Sequence, residues 1–173
     1  MAALMLDLDE EEVICLPKQI ETAAMQQKCV LLIEDSEEAM LLVRFALEEY
    51  GQGVYRLEWA SNLGEGLDFL SVGQIDVVLL DLGLPDSSGP ESFAWVREIA
   101  PHVPVVVLTG DAKAETERAI TAGGVEGYLV KDLVSAADVV ETLRDALLAG
   151  KRKKEQRDQK GRSVLSSPFR IRS

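Results

Sequence analysis

Four short apolar runs in this chain each break off at a polar residue, and that repeated ending constrains the fold more than any other feature. Val30-Leu31-Leu32-Ile33 leads into Glu34-Asp35, and Ile75-Asp76-Val77-Val78-Leu79-Leu80 leads into Asp81. Val103-Pro104-Val105-Val106-Val107-Leu108 leads into Thr109, and Gly127-Tyr128-Leu129-Val130 into Lys131. Runs of this length and composition mark strands covered on both faces. A fifth segment, Val54 to Trp59, alternates with period two, as a half-covered edge strand does.

Helical patterns separate the strands. Ser36 is placed to cap a helix whose apolar positions Ala39, Leu42, Val43, Ala46, Leu47 and Tyr50 recur at helical spacing before Gly51. Ser61 opens a glycine-interrupted helix with Leu63, Leu67 and Leu70 on one side. Ser88 and Pro90 start a third, with Phe93, Val96 and Ile99 facing inward. A more polar helix is expected over Lys113 to Ala122. Ser135 and Asp138 form a capping box for a last helix through Leu148.

Strands alternating with helices of this length give parallel pairing, because each crossover returns the chain to the same end of the sheet. The expected fold is therefore an α/β doubly wound, five-stranded parallel sheet with helices on both faces. In such sheets, ligands sit beyond the carboxyl ends of the strands where strand order reverses. Strand two brings no polar ending. The order 2-1-3-4-5 accounts for that, since it puts strand two at an edge away from the crevice.

Composition limits what the chain does. The 173 residues are 47% hydrophobic, enough for a substantial core. A formal charge of -12 argues against a general nucleic-acid binder. Residues 151–173 hold nine Lys/Arg against two acids, a surplus of +7, so residues 1–150 carry -19. Acidic body and basic tail have to be read apart. Cys15 and Cys29 have neither CxxC spacing nor a nearby histidine, which fits a reduced, cytoplasmic protein without disulfide or zinc. Met1 to Glu12 is acidic where a secretory signal would be basic and then apolar, and no run reaches the length of a membrane span.

Glu34, Asp35 and Asp81 should converge beyond strands one and three. Two carboxylates about 5 Å apart repel by roughly 3 kcal/mol at an effective dielectric near 20, so three call for a cation or a proton. Mg2+ suits a site with two or three carboxylates, because it keeps waters and shares phosphate oxygens. The backbone carbonyl of Gly83 is an additional candidate ligand. Asp81, at the end of a central strand and before the loop Leu82 to Gly89, is the candidate nucleophile toward phosphorus. Lys131 would pair with one phosphoryl oxygen and Thr109 would donate to another. Taken singly, each residue has an ordinary reading as a cap, a turn, a β-former or a surface charge. Their conjunction at four strand ends carries the inference.

The stretches Val30–Ser36, Val77–Gly89, Val105–Gly110 and Gly127–Lys131, with 46 residues from Asp35 to Asp81, 28 from Asp81 to Thr109 and 22 from Thr109 to Lys131, resemble the receiver domain of bacterial two-component response regulators. The resemblance covers roughly Cys29 to Gly150. It implies the flavodoxin-like order already inferred, Asp81 as phosphoacceptor, and Glu34 and Asp35 as the acidic metal pair for Mg2+. It also implies Thr109 and Lys131 as switch hydroxyl and lysine, and Tyr128 as the aromatic switch. The expected partners are a sensor histidine kinase or a histidine phosphotransfer protein, and a downstream output protein or a second copy of this chain in a homodimer. They would be governed by the face built from strand five and helices four and five. The protein would be a signalling module rather than an enzyme.

Three positions depart from the family pattern. Glu34 stands where Asp is commoner, Asp132 follows Lys131 where the family has proline, and Gly83 offers no side chain two residues past Asp81. Two rival readings remain at this level: a receiver-like scaffold that works without phosphorylation, and an aspartate-nucleophile phosphohydrolase. The second usually wants another acid at the position of Gly83.

The chain thus divides into an acidic extension (1–28), the receiver (29–150) and a basic tail (151–173) that is too short for a DNA-binding module. Leu4 to Ile20 is a candidate amphipathic helix, for docking on the receiver, on the basic tail or on a second subunit. Lys151-Arg152-Lys153-Lys154 is expected to prolong the last helix before it frays at Gly161. The ending Ser167 to Arg172 is a candidate docking motif, and His102 in its loop is expected to be inert.

Overall fold

A computed structural model of the chain describes residues 27–87, 89–110, 118 and 121–165, with side chains described as far as residue 159. The described strands are β1 (Lys28–Ile33), β2 (Tyr55–Ala60), β3 (Val77–Asp81), β4 (Val105–Thr109) and β5 (Gly127–Val130). The helices with given bounds are α1 (Glu37–Tyr50), α2 (Leu63–Val72), α3 (Pro90–Ile99) and α4 (Ala136–Leu165). The helix expected over Lys113 to Ala122 lies largely outside the described residues, as do Leu4 to Ile20, Cys15 and Ser167 to Arg172.

All four strand pairings are parallel, and the order is β2-β1-β3-β4-β5, as the strand endings implied. β1, β3 and β4 are nearly dry because helices cover both sides. Val30, Leu32, Val77, Leu79, Val106 and Leu108 point to the layer made by α1 and α4. Leu31, Ile33, Val78, Leu80, Val105 and Val107 point the other way, to α2 and α3. This alternation makes the one-residue register decisive, since a slip would exchange the two cores.

Local chemistry sets the helix ends. Ser36 Oγ accepts from the Ala39 amide at 3.2 Å, and the Ser135–Asp138 box is complete, with Asp138 Oδ2 accepting from the Ser135 amide at 2.9 Å. One cap differs from expectation, whereas α3 starts at Pro90 as expected. Asn62, not Ser61, caps α2 through its Oδ1 and the Glu65 amide at 2.9 Å, while Ser61 engages the Glu65 carboxylate instead. Gly89 holds the position before Pro90 with φ 43, a left-handed conformation that favours glycine, and Ser88 lies outside the described residues.

Burial on α1 is shifted from the expected stripe. Met40, Val43, Ala46 and Leu47 are buried, whereas Leu42 is 70% exposed and Tyr50 also faces solvent. Ile99 is likewise exposed on α3. β4 begins after Pro104 rather than at Val103, because proline has no amide hydrogen to donate to the ladder. The last helix runs on past Leu148 through Lys151 to Lys154, as expected, and continues through Gly161 to Leu165 instead of fraying at Gly161.

Candidate functional site

The carboxyl ends of β1 and β3 are neighbours, so the residues that follow them meet. One ligand oxygen from each of Glu34, Asp35 and Asp81 lies within 4.8 Å of the others. β4 and β5 continue the same edge. Thr109 closes β4 and is buried, and its carbonyl accepts from the Lys131 amide at 2.9 Å. Lys131 then turns back over the acids, with Nζ 2.7 Å from Glu34 Oε2 and 3.0 Å from Asp81 Oδ2. The chain achieves this with a trans peptide between Lys131 and Asp132, since none of the described peptide bonds is cis. Proline at position 132 is therefore not needed to aim the ammonium at Asp81.

Glu34 is held from several sides. Its amide donates to Ala60 O at 3.0 Å, its carbonyl accepts from Trp59 Nε1 at 2.7 Å, and its Oε1 accepts from the Ser36 amide at 3.2 Å. β2 brings no polar strand ending to the cluster, as its sequence implied, but it fixes the backbone that presents Glu34. The side chain is fully buried, and Oε2 has Lys131 at ion-pair distance but no hydrogen bond of regular geometry. Burial pushes the Glu34 carboxyl above its ordinary range, with Lys131 pulling it back and the Asp81 charge adding to the rise. Burial works in the opposite sense on Lys131, but the Glu34 and Asp81 carboxylates outweigh it and hold the ammonium above the usual lysine value. At neutral pH the lysine is charged.

The donor set suits a hard divalent cation. Three carboxylates converge, one buried oxygen lacks a regular hydrogen-bond donor, and Asp35 is exposed on the side from which water ligands would come. Glu34, Asp35 and Asp81 are the groups that would hold it. Gly83 is exposed beside them, and a Cβ at that position would lie 3.3 Å from Asp81 Oδ2. The missing side chain leaves open the approach to a carboxylate that is otherwise buried.

The loop after β3 is tied down by a residue that strand endings could not flag. Asp86 accepts from the Leu63 and Gly64 amides at 3.0 and 3.1 Å, so it closes the N-terminus of α2 from across the loop. The Leu63 amide leads in holding its carboxyl below the usual range, with the Gly64 amide adding to the effect. Asp86 follows Pro85 in a turn-like sequence, which suggests only a local role. Tyr128, on β5, is half-buried and packs against the core layer shared with α2 and α3. His102 meets the guanidinium of Arg157 at the opposite end of the sheet, far along the strands from the acids.

A doubly wound sheet in this order, with acids and a lysine gathered at its switch point, defines the class of CheY-like domains. The family model for the response regulator receiver domain matches residues 30–144. Over 122 residues the chain is 34% identical to the polar-differentiation response regulator DivK of Brucella ovis, covering 69% of this chain and 96% of that protein. It is 34% identical over 103 residues to the cell cycle transcriptional regulator CtrA of Caulobacter vibrioides, covering 59% of this chain and 43% of that protein. The chain therefore spans less than half the length of that relative. A solved CheY-like receiver domain from Methanospirillum hungatei superposes with a TM-score of 0.66 at 25% identity, covering 73% of this chain and 98% of the other. The chain belongs to the response regulator receiver family of two-component signalling. Among the described residues no helix is long and apolar enough to cross a membrane.

Proposed function

We propose that Asp81 is the phosphoacceptor of a two-component phosphorelay. The observation that carries this reading is the cluster of Glu34, Asp35 and Asp81 with Lys131 Nζ 3.0 Å from Asp81 Oδ2. An Asp81 oxygen attacks phosphorus in a phosphohistidine of a sensor kinase or phosphotransfer protein. The P–N bond breaks and the imidazole leaves, taking up a proton. Lys131, already on Asp81, moves its charge to a phosphoryl oxygen as that oxygen replaces the carboxylate charge, and Thr109 donates to another. Bound Mg2+, held by Glu34, Asp35, Asp81 and the Gly83 carbonyl, would supply the neutralisation that lets an anionic donor approach.

The signal leaves through a shift between two states. Thr109 is drawn toward the phosphoryl group and Tyr128 turns into the space released. The face made by β5, α4 and the preceding crossover then changes its affinity for an output protein or for a second copy of the chain. Taking such an equilibrium from 1:99 to 99:1 needs about 5.5 kcal/mol of differential interaction, within reach of several charge-assisted bonds made only by the phosphorylated form. The division into acidic extension (1–28), receiver (29–150) and basic tail (151–173) belongs to the same proposal. So does a cytoplasmic setting, where the donor kinase domain would work.

Incubation with Mg2+ and acetyl phosphate, read by intact mass, tests the reading. One phosphoryl adduct is expected, absent in Asp81→Asn and abolished by chelator. Rapid multiple turnover of unrelated monoesters would point to a hydrolase instead, and no adduct from either acetyl phosphate or a kinase would leave a phosphorylation-independent scaffold.

A further inference from the structure

The end of the sheet opposite the carboxylates carries a second charged feature. β4 and β5 begin there, and α4 leaves the body there, passing so close that a Cβ on Gly150 would lie 3.1 Å from Pro104 Cγ. The helix then continues as Lys151 to Leu165. Two side-chain ties hold this continuation against the body. Glu126, whose side chain is 3% exposed, accepts from the Val105 amide at 2.7 Å and from Arg97 and Lys153 at 2.5 Å each. One turn further on, Arg157 reaches the imidazole of His102.

Helix and body enclose a cleft of about 900 Å³. Its charge is unbalanced, with six Lys/Arg against Asp76, Glu126 and Asp158. Asp76 is matched by Lys28 at 2.8 Å, and Glu126 by Arg97 and Lys153. Lys151, Lys154 and Arg157 are left facing Asp158 alone. Among the described residues neither Lys151 nor Lys154 is in an ion pair, and Arg157 has an imidazole where a carboxylate would match it better. Ile75, Val103 and Leu147 add apolar wall beneath these cations. The cleft therefore favours an acidic, partly apolar occupant.

We propose that this cleft is the docking site of the chain's own acidic segment, Asp7 to Glu12. That stretch holds Asp7, Asp9, Glu10, Glu11 and Glu12, interleaved with Leu6 and Leu8 and followed by Val13 and Ile14. Its charge and its apolar content match the cleft. Geometry supports the same occupant, because Lys28 lines the cleft and so the chain reaches β1 at its rim. The 15 residues between Glu12 and Lys28 would, as a flexible chain, span about 20 Å, enough to return the acids to the helix without crossing the domain. Exposed ion pairs are individually weak, so several must act together, and the tether supplies an effective concentration in the ~mM range. Docking is thus salt-sensitive, and it leaves the acids around Asp81 untouched.

Zero-length carbodiimide cross-linking of the full chain at low micromolar concentration, read by peptide mass, tests this directly. Links from Asp7–Glu12 to Lys151, Lys153 or Lys154 are expected within monomers, several-fold fewer at high salt. The variant with all five acids neutralised (D7N, D9N, E10Q, E11Q, E12Q) should lose tryptic protection at Lys151 to Lys154 by a similar factor. Links found only in covalent dimers would make a second copy the occupant and overturn the proposal. Links only to other lysines, none at all, or unchanged tryptic rates in the variant would also overturn it.

Discussion

Lys131→Met replaces the ammonium over Glu34 and Asp81 with an uncharged side chain of similar length, and its cost should depend on pH in a defined direction. Lys131 lies 2.7 and 3.0 Å from two carboxylate oxygens, one of them fully buried, and its own side chain is 27% exposed. Removing one partner from such a cluster typically costs 3–5 kcal/mol. Water reaches Lys131, so about 3 kcal/mol is expected at pH 8 without divalent metal. Glu34 sets the pH dependence. Its folded carboxyl is raised above the ordinary 4.5, so the stability it contributes is fully present below that value and is lost as pH climbs through the raised one. Without the lysine the folded value rises further, and the loss continues to higher pH. Glu34 in the variant takes up its proton more readily as the pH falls, so the penalty is smaller at pH 5 than at pH 8.

Urea unfolding of parent and variant in chelator at pH 5 and pH 8, followed by circular dichroism, reads both quantities. Mg2+ should then restore more stability to the variant than to the parent, because the cation replaces the missing charge. An equal penalty at both pH values, or a variant as stable as the parent at pH 8, would refute the reasoning.

Asp86→Ala should cost about 1 kcal/mol in urea unfolding, through loss of the Leu63 and Gly64 amide bonds at the start of α2. Gly66→Ala places a Cβ 2.5 Å from Ile33 Cδ1, immediately before Glu34, and should cost about 1–3 kcal/mol by the same assay. Glu126→Ala unpairs Arg97 and Lys153 and should cost about 3 kcal/mol, while a Mg2+ titration followed by tryptophan fluorescence stays unchanged.

Strand order and the site at its switch point were legible because both follow from period and position. Glu34, Asp81, Thr109 and Lys131 are the first polar residues after apolar runs, and parallel pairing sends all four to one edge. Strand two's missing polar ending identified it as an edge strand. What escaped the sequence is contact that depends on side-chain reach and phase. The α1 stripe was expected to include Leu42, but Met40 is buried instead, because several apolar residues in a row leave the helical phase undetermined. Nothing local marks Asp86 as a cap for a helix 22 residues upstream, or Trp59 as the donor that holds the Glu34 carbonyl. That α4 continues beyond Lys154 and through Gly161 to Leu165 was obscured by its lack of an apolar stripe past Gly150. Its ties are instead to Glu126 and His102, residues with no pattern of their own.

The central claim is that one side-chain oxygen, on Asp81, accepts the phosphoryl group. Treating the Mg2+-and-acetyl-phosphate-loaded protein with borohydride reduces an acyl phosphate to an alcohol, and peptide mass mapping then locates the altered residue. A single reduced aspartate at Asp81 is predicted. Reduction at Glu34, Asp35 or any other acid, or none while the intact protein still carries phosphate, would contradict the account.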